Sequence, residues 1–130
     1  SGLCDLLACR VIFLRNELFH ITAQNLIEFR NVATRPKAVN GLGLSAAEAD
    51  SKAFVFEGSF SLLAETAAIF PAWKALVRTL GVIGKQVHDA RLVAVCHVHH
   101  ISHLLTFNTN HFVTLATATP GLVVVDPTKV

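Results

Sequence analysis

Apolar residues in this chain come in short blocks separated by polar breaks, and their periods predict alternating helices and strands. The pattern is fullest from Gln86 to Phe112, QVHDARLVAVCHVHHISHLLTFNTNHF. His88-Asp89-Ala90 opens a helix there, with Asp89 placed where a carboxylate gains from the unpaired N–H groups of a first turn. Leu92, Val93, Val95, Cys96 and Val98 give that helix a broad apolar face. A polar break at His99–Ser102 leads into His103–Phe107, which predicts a short strand with turn residues after it. His100 takes the C′ place usually held by glycine, so a left-handed backbone at that residue would be strained. Helix followed by strand is half of a parallel α/β unit, and open parallel sheets carry their chemistry at the carboxyl ends of strands. Thr106, Asn108, Asn110 and His111 therefore fall on a candidate functional edge that Asp89 can face.

The rest of the chain reads in the same way. Leu3, Leu6, Leu7, Val11 and Leu14 form a roughly helical stripe, although Val11-Ile12-Phe13-Leu14 also reads as a strand. Leu18–Thr22 predicts a buried strand and Gln24–Ala33 a helix. Pro36 and Asn40-Gly41-Leu42-Gly43 mark a loop. Ser45, with Glu48 three positions on, makes a capping box for a helix running to about Leu63. Glu65-Thr66-Ala67 predicts a short extended segment. Ile69–Leu80 predicts a helix with Pro71 in its first turn and Gly81 past its end. Leu122–Val125 is the last strand, stopped by Asp126-Pro127. This alternation predicts an α/β fold, a three-layer α/β/α sandwich around a central parallel sheet, as one domain over residues 1–130.

Composition narrows the class. Hydrophobic residues make up 52% of the 130 and charged residues 15%, a bias that suits a parallel sheet covered on both faces. No apolar run reaches the roughly 18 charge-free residues of a membrane-spanning helix, so no membrane partner is expected, and no secretory signal is visible. Cys4, Cys9 and Cys96 are an odd number without CxxC spacing, which fits reduced thiols in a cytoplasmic protein better than a disulfide framework. A net charge of +2 does not by itself argue for nucleic acid. The chain has no methionine and begins Ser1-Gly2, as expected after removal of an initiator or for a processed or truncated form of something longer.

Several motifs resemble one family. His88-Asp89-Ala90-Arg91-Leu92-Val93-Ala94, then His103-Leu104-Leu105-Thr106-Phe107-Asn108, then Gly121-Leu122-Val123-Val124-Val125-Asp126-Pro127 are similar to the C-terminal half of a PIN domain. The segments Gln24–Phe29, Asn31–Pro36 and Asn40–Ser45 resemble one PIN subgroup, that of VapC-like ribonuclease toxins from bacterial toxin–antitoxin pairs. The likeness covers roughly residues 10–128. It implies an endoribonuclease that cleaves RNA phosphodiester bonds with Mg²⁺ or Mn²⁺, a cognate antitoxin, and a homodimer. It also implies a cluster of three or four carboxylates, since such ions prefer hard oxygen ligands. Carried over by motif, Glu28 is the second-helix acid and Asp89 the third, with Asn108 as a further catalytic position.

Two family positions depart from that pattern. No strand ending in an Asp-Thr-Asn-like triplet is present; Asp5 is the only early candidate for its acid, 23 residues before Glu28, closer than the family usually has it. The fourth acid normally follows the Thr-Phe-Asn motif by three residues, and His111 stands there. Two carboxylates with neutral neighbours bind Mg²⁺ far more weakly than four. The alternative reading is therefore a catalytically degenerate PIN scaffold retained for binding. A lesser alternative is a structural zinc site built from Cys96 with His97, His99, His100 and His103, against which these histidines read as surface groups at a helix end. Arg30, Arg35 and Arg91, with Lys37 and Lys85, are the basic residues nearest the acid motifs and candidates for phosphate contact, although aromatic residues do not interleave with them.

The missing first strand raises a structural question. In the PIN arrangement that strand is central, flanked by the strands predicted at Leu18–Thr22 and His103–Phe107. An empty slot would leave buried polar backbone groups unpaired at about 1–3 kcal/mol each. Val11–Leu14 could occupy it, a second copy could donate a strand, or the flanking strands could pair directly.

Overall fold

The computed structural model describes residues 12–16 and 18–129. The early readings at Leu3–Val11, Cys4, Asp5 and Cys9 lie outside them. Strand β1 (Ile12–Arg15) and strand β2 (Leu18–Ile21) form an antiparallel hairpin with Asn16 in a left-handed conformation. Thr22 then caps helix α1 (Ala23–Thr34): its hydroxyl accepts from the Asn25 N–H at 3.1 Å, and the Asn25 side-chain oxygen accepts from the Thr22 N–H at 2.8 Å. The same reciprocal pairing of Ser45 and Glu48 opens helix α2 (Ala46–Ser59). Strand β3 (Ser61–Leu62), helix α3 (Ile69–Leu80), helix α4 (Gln86–Val98), strand β4 (His103–Leu105), a short helix α5 (Val113–Ala116) and strand β5 (Val123–Val125) follow.

The five strands make one sheet in the order β3-β2-β1-β4-β5. β2 with β3, and β4 with β5, are parallel, whereas β1 runs antiparallel to both its neighbours. The expected parallel sheet is thus corrected to a mixed one. A connection of two residues between β1 and β2 can only reverse the chain; a parallel pair needs a crossover of a dozen residues or more. β1 lies between the two strands expected to flank the slot, so the chain fills it from within. Strand alternation sends neighbouring β1 side chains to opposite faces. Ile12 joins Ile21, Phe29, Ala33, Ala49 and Phe56 in one apolar cluster, and Phe13 joins Val93, Leu104, Phe112 and others in a second.

Three predicted elements shift. The helix expected to reach Leu63 stops at Ser59, and the extended segment is Ser61–Leu62 rather than Glu65–Ala67. Its pairing with β2 is followed by a hydrogen bond from the Leu63 N–H to the Ile21 carbonyl at 2.8 Å. β4 ends at Leu105, two residues early, though the Thr106 N–H still donates to Val125 at 3.0 Å. At the end of α4, His100 takes φ 55°, and the Ile101 N–H reaches back to the Cys96 carbonyl at 2.9 Å. This is the 6→1 closure of a Schellman motif, so histidine bears the left-handed strain expected of that position.

His20 adds a second stress. It faces the same side of the sheet as Phe13, is 4% exposed, and neither ring nitrogen finds a hydrogen-bond partner among the described residues. Burial, and then the Arg15 guanidinium, hold its pKa below the ordinary histidine value. A histidine depressed on folding makes the unfolded state the better proton binder, so its contribution to stability is lost as pH falls below about 6.5. Replacing His20 with leucine is expected to flatten that acid-side loss and to raise stability at neutral pH by about 1 kcal/mol or more, because two orphaned polar atoms disappear. Thermal melts of both proteins between pH 5 and 8 check this; parallel pH profiles would reject it.

Candidate functional site

The carboxyl ends of β2 and β4 lie at the edge where β1 begins, because Ile12 is paired with Leu105 and the antiparallel β2 carries Ile21 to the same side. Helix α1 starts from that edge through Thr22, and the Asn108–His111 loop leaves it after β4. The N-terminal end of α4 reaches it as well. Asp89, in the first turn of α4, is 3% exposed. His111, brought in by a 3₁₀ turn at Thr109–His111, places its Nδ1 at 3.7 Å from the Asp89 carboxylate. The loop is held by its own backbone: the Asn108 N–H donates to the Thr106 hydroxyl at 3.1 Å, and the His111 N–H donates to the Asn108 carbonyl at 3.0 Å. Asn108 itself is exposed at the rim.

Glu28 lies one turn beyond Gln24 on α1. With Gln24, Ile27, Glu65, His88 and Arg91 it lines an open cleft of about 410 Å³. Gln24 ties α1 to α4 there, its side-chain amide donating to the His88 carbonyl at 3.0 Å and accepting from Arg91 at 3.0 Å. Arg91 also donates to Glu65 at 2.6 Å. Glu28 thus lies on the open cleft that His88 and Arg91 border, whereas Asp89 is buried against His111. Arg91 is the one predicted basic residue that lines this cleft. Arg30 is taken up by an ion pair with Asp50. The Arg35 carbonyl serves the loop after α1, accepting from the Gly43 N–H at 2.9 Å. Sequence reasoning missed Gln24 and Glu65, whose roles rest on contacts between elements far apart in the chain.

Which ions suit these donors follows from their chemistry. Mg²⁺ is commonly held by one or two carboxylates, with water and substrate phosphate filling the remaining positions. Glu28 and Asp89 are the candidate carboxylates for that role. Among the described residues no group of three His, Cys, Asp or Glu comes close enough to hold a metal by protein ligands alone. The zinc alternative fares worse. Cys96 is fully buried, and burial pushes its thiol pKa up, away from the thiolate that zinc needs. His99 Nε2 is bonded to the Ala64 carbonyl at 2.8 Å and His103 Nδ1 to the Ser102 hydroxyl at 2.8 Å. No family model, no curated protein and no solved structure matches this chain.

Proposed function

We propose that this chain is a PIN-like domain akin to the VapC-like endoribonuclease toxins, with its acid site reduced to Glu28 and Asp89. The observation that carries the reading is the approach of His111 to Asp89. A motif comparison assigns these residues to two acid positions 22 residues apart in sequence, and the fold brings them within 3.7 Å of one another. The central slot between β2 and β4 and the two apolar clusters on its faces support the three-layer α/β/α arrangement of that family. A Mg²⁺ or Mn²⁺ ion held by Glu28 and Asp89 would lower the pKa of a bound water and offset charge on a phosphate. Asn108 opens the turn that carries His111, and Arg91, on the cleft with Glu28, would contact the RNA backbone. Exposed Phe19, Ile27, Phe54 and Leu62 give apolar surface for an antitoxin or a second copy. A cytoplasmic setting accords with the unpaired, buried thiol of Cys96.

A second reading, a binding scaffold without catalysis, is favoured by the imidazole that occupies a carboxylate's place beside Asp89. Manganese binding separates the two. Titration by isothermal calorimetry is expected to show weak binding, in the high micromolar range or above, that Asp89→Asn abolishes. Binding that survives this substitution would move the site elsewhere, and no binding to the unaltered chain would leave the scaffold reading.

A further inference from the structure

The cleft that holds Glu28 has a neighbour across Arg91. Thr66, Ile69, Phe70, Trp73 and Arg91 line a second hollow of about 340 Å³. Its aromatic wall comes from α3. Phe70 stacks on Trp73 with ring centroids 5.7 Å apart and planes 27° apart. Trp73 is fixed from behind, since its indole N–H donates to the Val87 carbonyl at 2.8 Å and its ring packs against the larger apolar cluster. Phe70 is 64% exposed. A flat ring is thus held at the surface by a rigid partner, beside a guanidinium that borders both hollows. Two of the five donors of Arg91 engage Gln24 and Glu65, and the Glu65 pair is exposed enough to exchange.

We infer that Phe70 and Trp73 form a nucleobase-stacking subsite for single-stranded RNA, with Arg91 contacting the phosphate between the stacked base and the Glu28–Asp89 edge. The inference rests on the ribonuclease-like reading above and extends it to how the substrate is held. Single strands are favoured because an unpaired base can turn its π face onto an exposed ring, which a base inside a duplex cannot do. Stacking of this kind is tolerant of base identity, so the subsite supplies affinity and register rather than sequence choice. Glu65 competes with phosphate for Arg91 and tempers binding.

Trp73 is the only tryptophan of the chain, so its fluorescence reports on this subsite directly. The test uses a labelled six-nucleotide adenylate RNA in EDTA and low salt, with anisotropy for affinity and tryptophan quenching for location. Saturable binding with quenching is expected, and Phe70→Ala should weaken it by about tenfold. An abasic oligomer of equal length and charge should bind the unaltered protein about as weakly as adenylate binds Phe70→Ala. Val55→Ala, at a residue 60% exposed on α2, should change nothing. Equal affinity of the unaltered and Phe70→Ala proteins for adenylate would overturn the stacking subsite while leaving RNA binding in place. No anisotropy change with the unaltered protein would overturn the subsite and the RNA reading together.

Discussion

Replacing Gly41 with alanine is expected to destabilise the protein by about 3 kcal/mol, among the larger losses that overpacking causes. The loop Asn40–Leu44 folds back over the carboxyl end of α1. The N–H groups of Leu42, Gly43 and Leu44 donate to the carbonyls of Val32, Arg35 and Ala33 at 3.1, 2.9 and 2.8 Å. These bonds satisfy acceptors that a helix end leaves unpaired. A Cβ on Gly41 would lie 1.9 Å from the Arg35 carbonyl oxygen and 2.3 Å from its carbon. Both are backbone atoms, so the loop itself must shift and the three bonds lengthen. In a domain of this size the melting temperature should fall by roughly 10 °C. A melt within a degree or two of the unaltered protein would show that the loop does not cap α1 in solution. The loop thus closes the helix that carries Glu28.

Changing His111 to aspartate is expected to raise divalent-metal affinity by about tenfold or more, and any RNA cleavage with it, because affinity for hard cations grows with the charge of the ligand set. The substitution puts a second carboxylate beside Asp89 and removes a group that repels cations when protonated. His111 is more than half exposed, so its replacement leaves the core intact. Without metal, two carboxylates this close repel one another and raise the pKa of the pair. The altered protein should therefore melt lower than its parent in EDTA and regain stability as Mn²⁺ is added, since an ion that binds only the folded state stabilises it. Matching Mn²⁺ responses in the two proteins would show that position 111 contributes nothing to an ion site at Asp89.

The local elements were legible in the sequence because their causes are local. The capping box of Ser45 and Glu48, the apolar face from Leu92 to Val98, and the left-handed closures at Gly81 and His100 are each complete within a few residues. Asp89 at the head of α4 follows from the same short stretch. The juxtaposition of Asp89 and His111 was readable only as a motif likeness. Its geometry comes from β4 lying against β1 and from the 3₁₀ turn that aims His111 back toward α4.

What only the tertiary structure decided involves partners distant in the chain. The apolar run Val11–Leu14 left helix and strand both open and said nothing of direction; the structure makes Ile12–Arg15 a strand, and the short reversal before Leu18 turns it against both neighbours and makes the sheet mixed. Ser61–Leu62 is too short for any period and exists as a strand because β2 offers it an edge. Phe70 and Trp73 are separated by about twenty residues from Arg91, and no spacing rule joins them. Packing of α3 on α4 does, with the Trp73 bond to Val87 setting the ring. Hydrogen bonds within one helical turn are written in adjacent residues, whereas strand direction and the meeting of side chains from different elements depend on which surfaces bury each other.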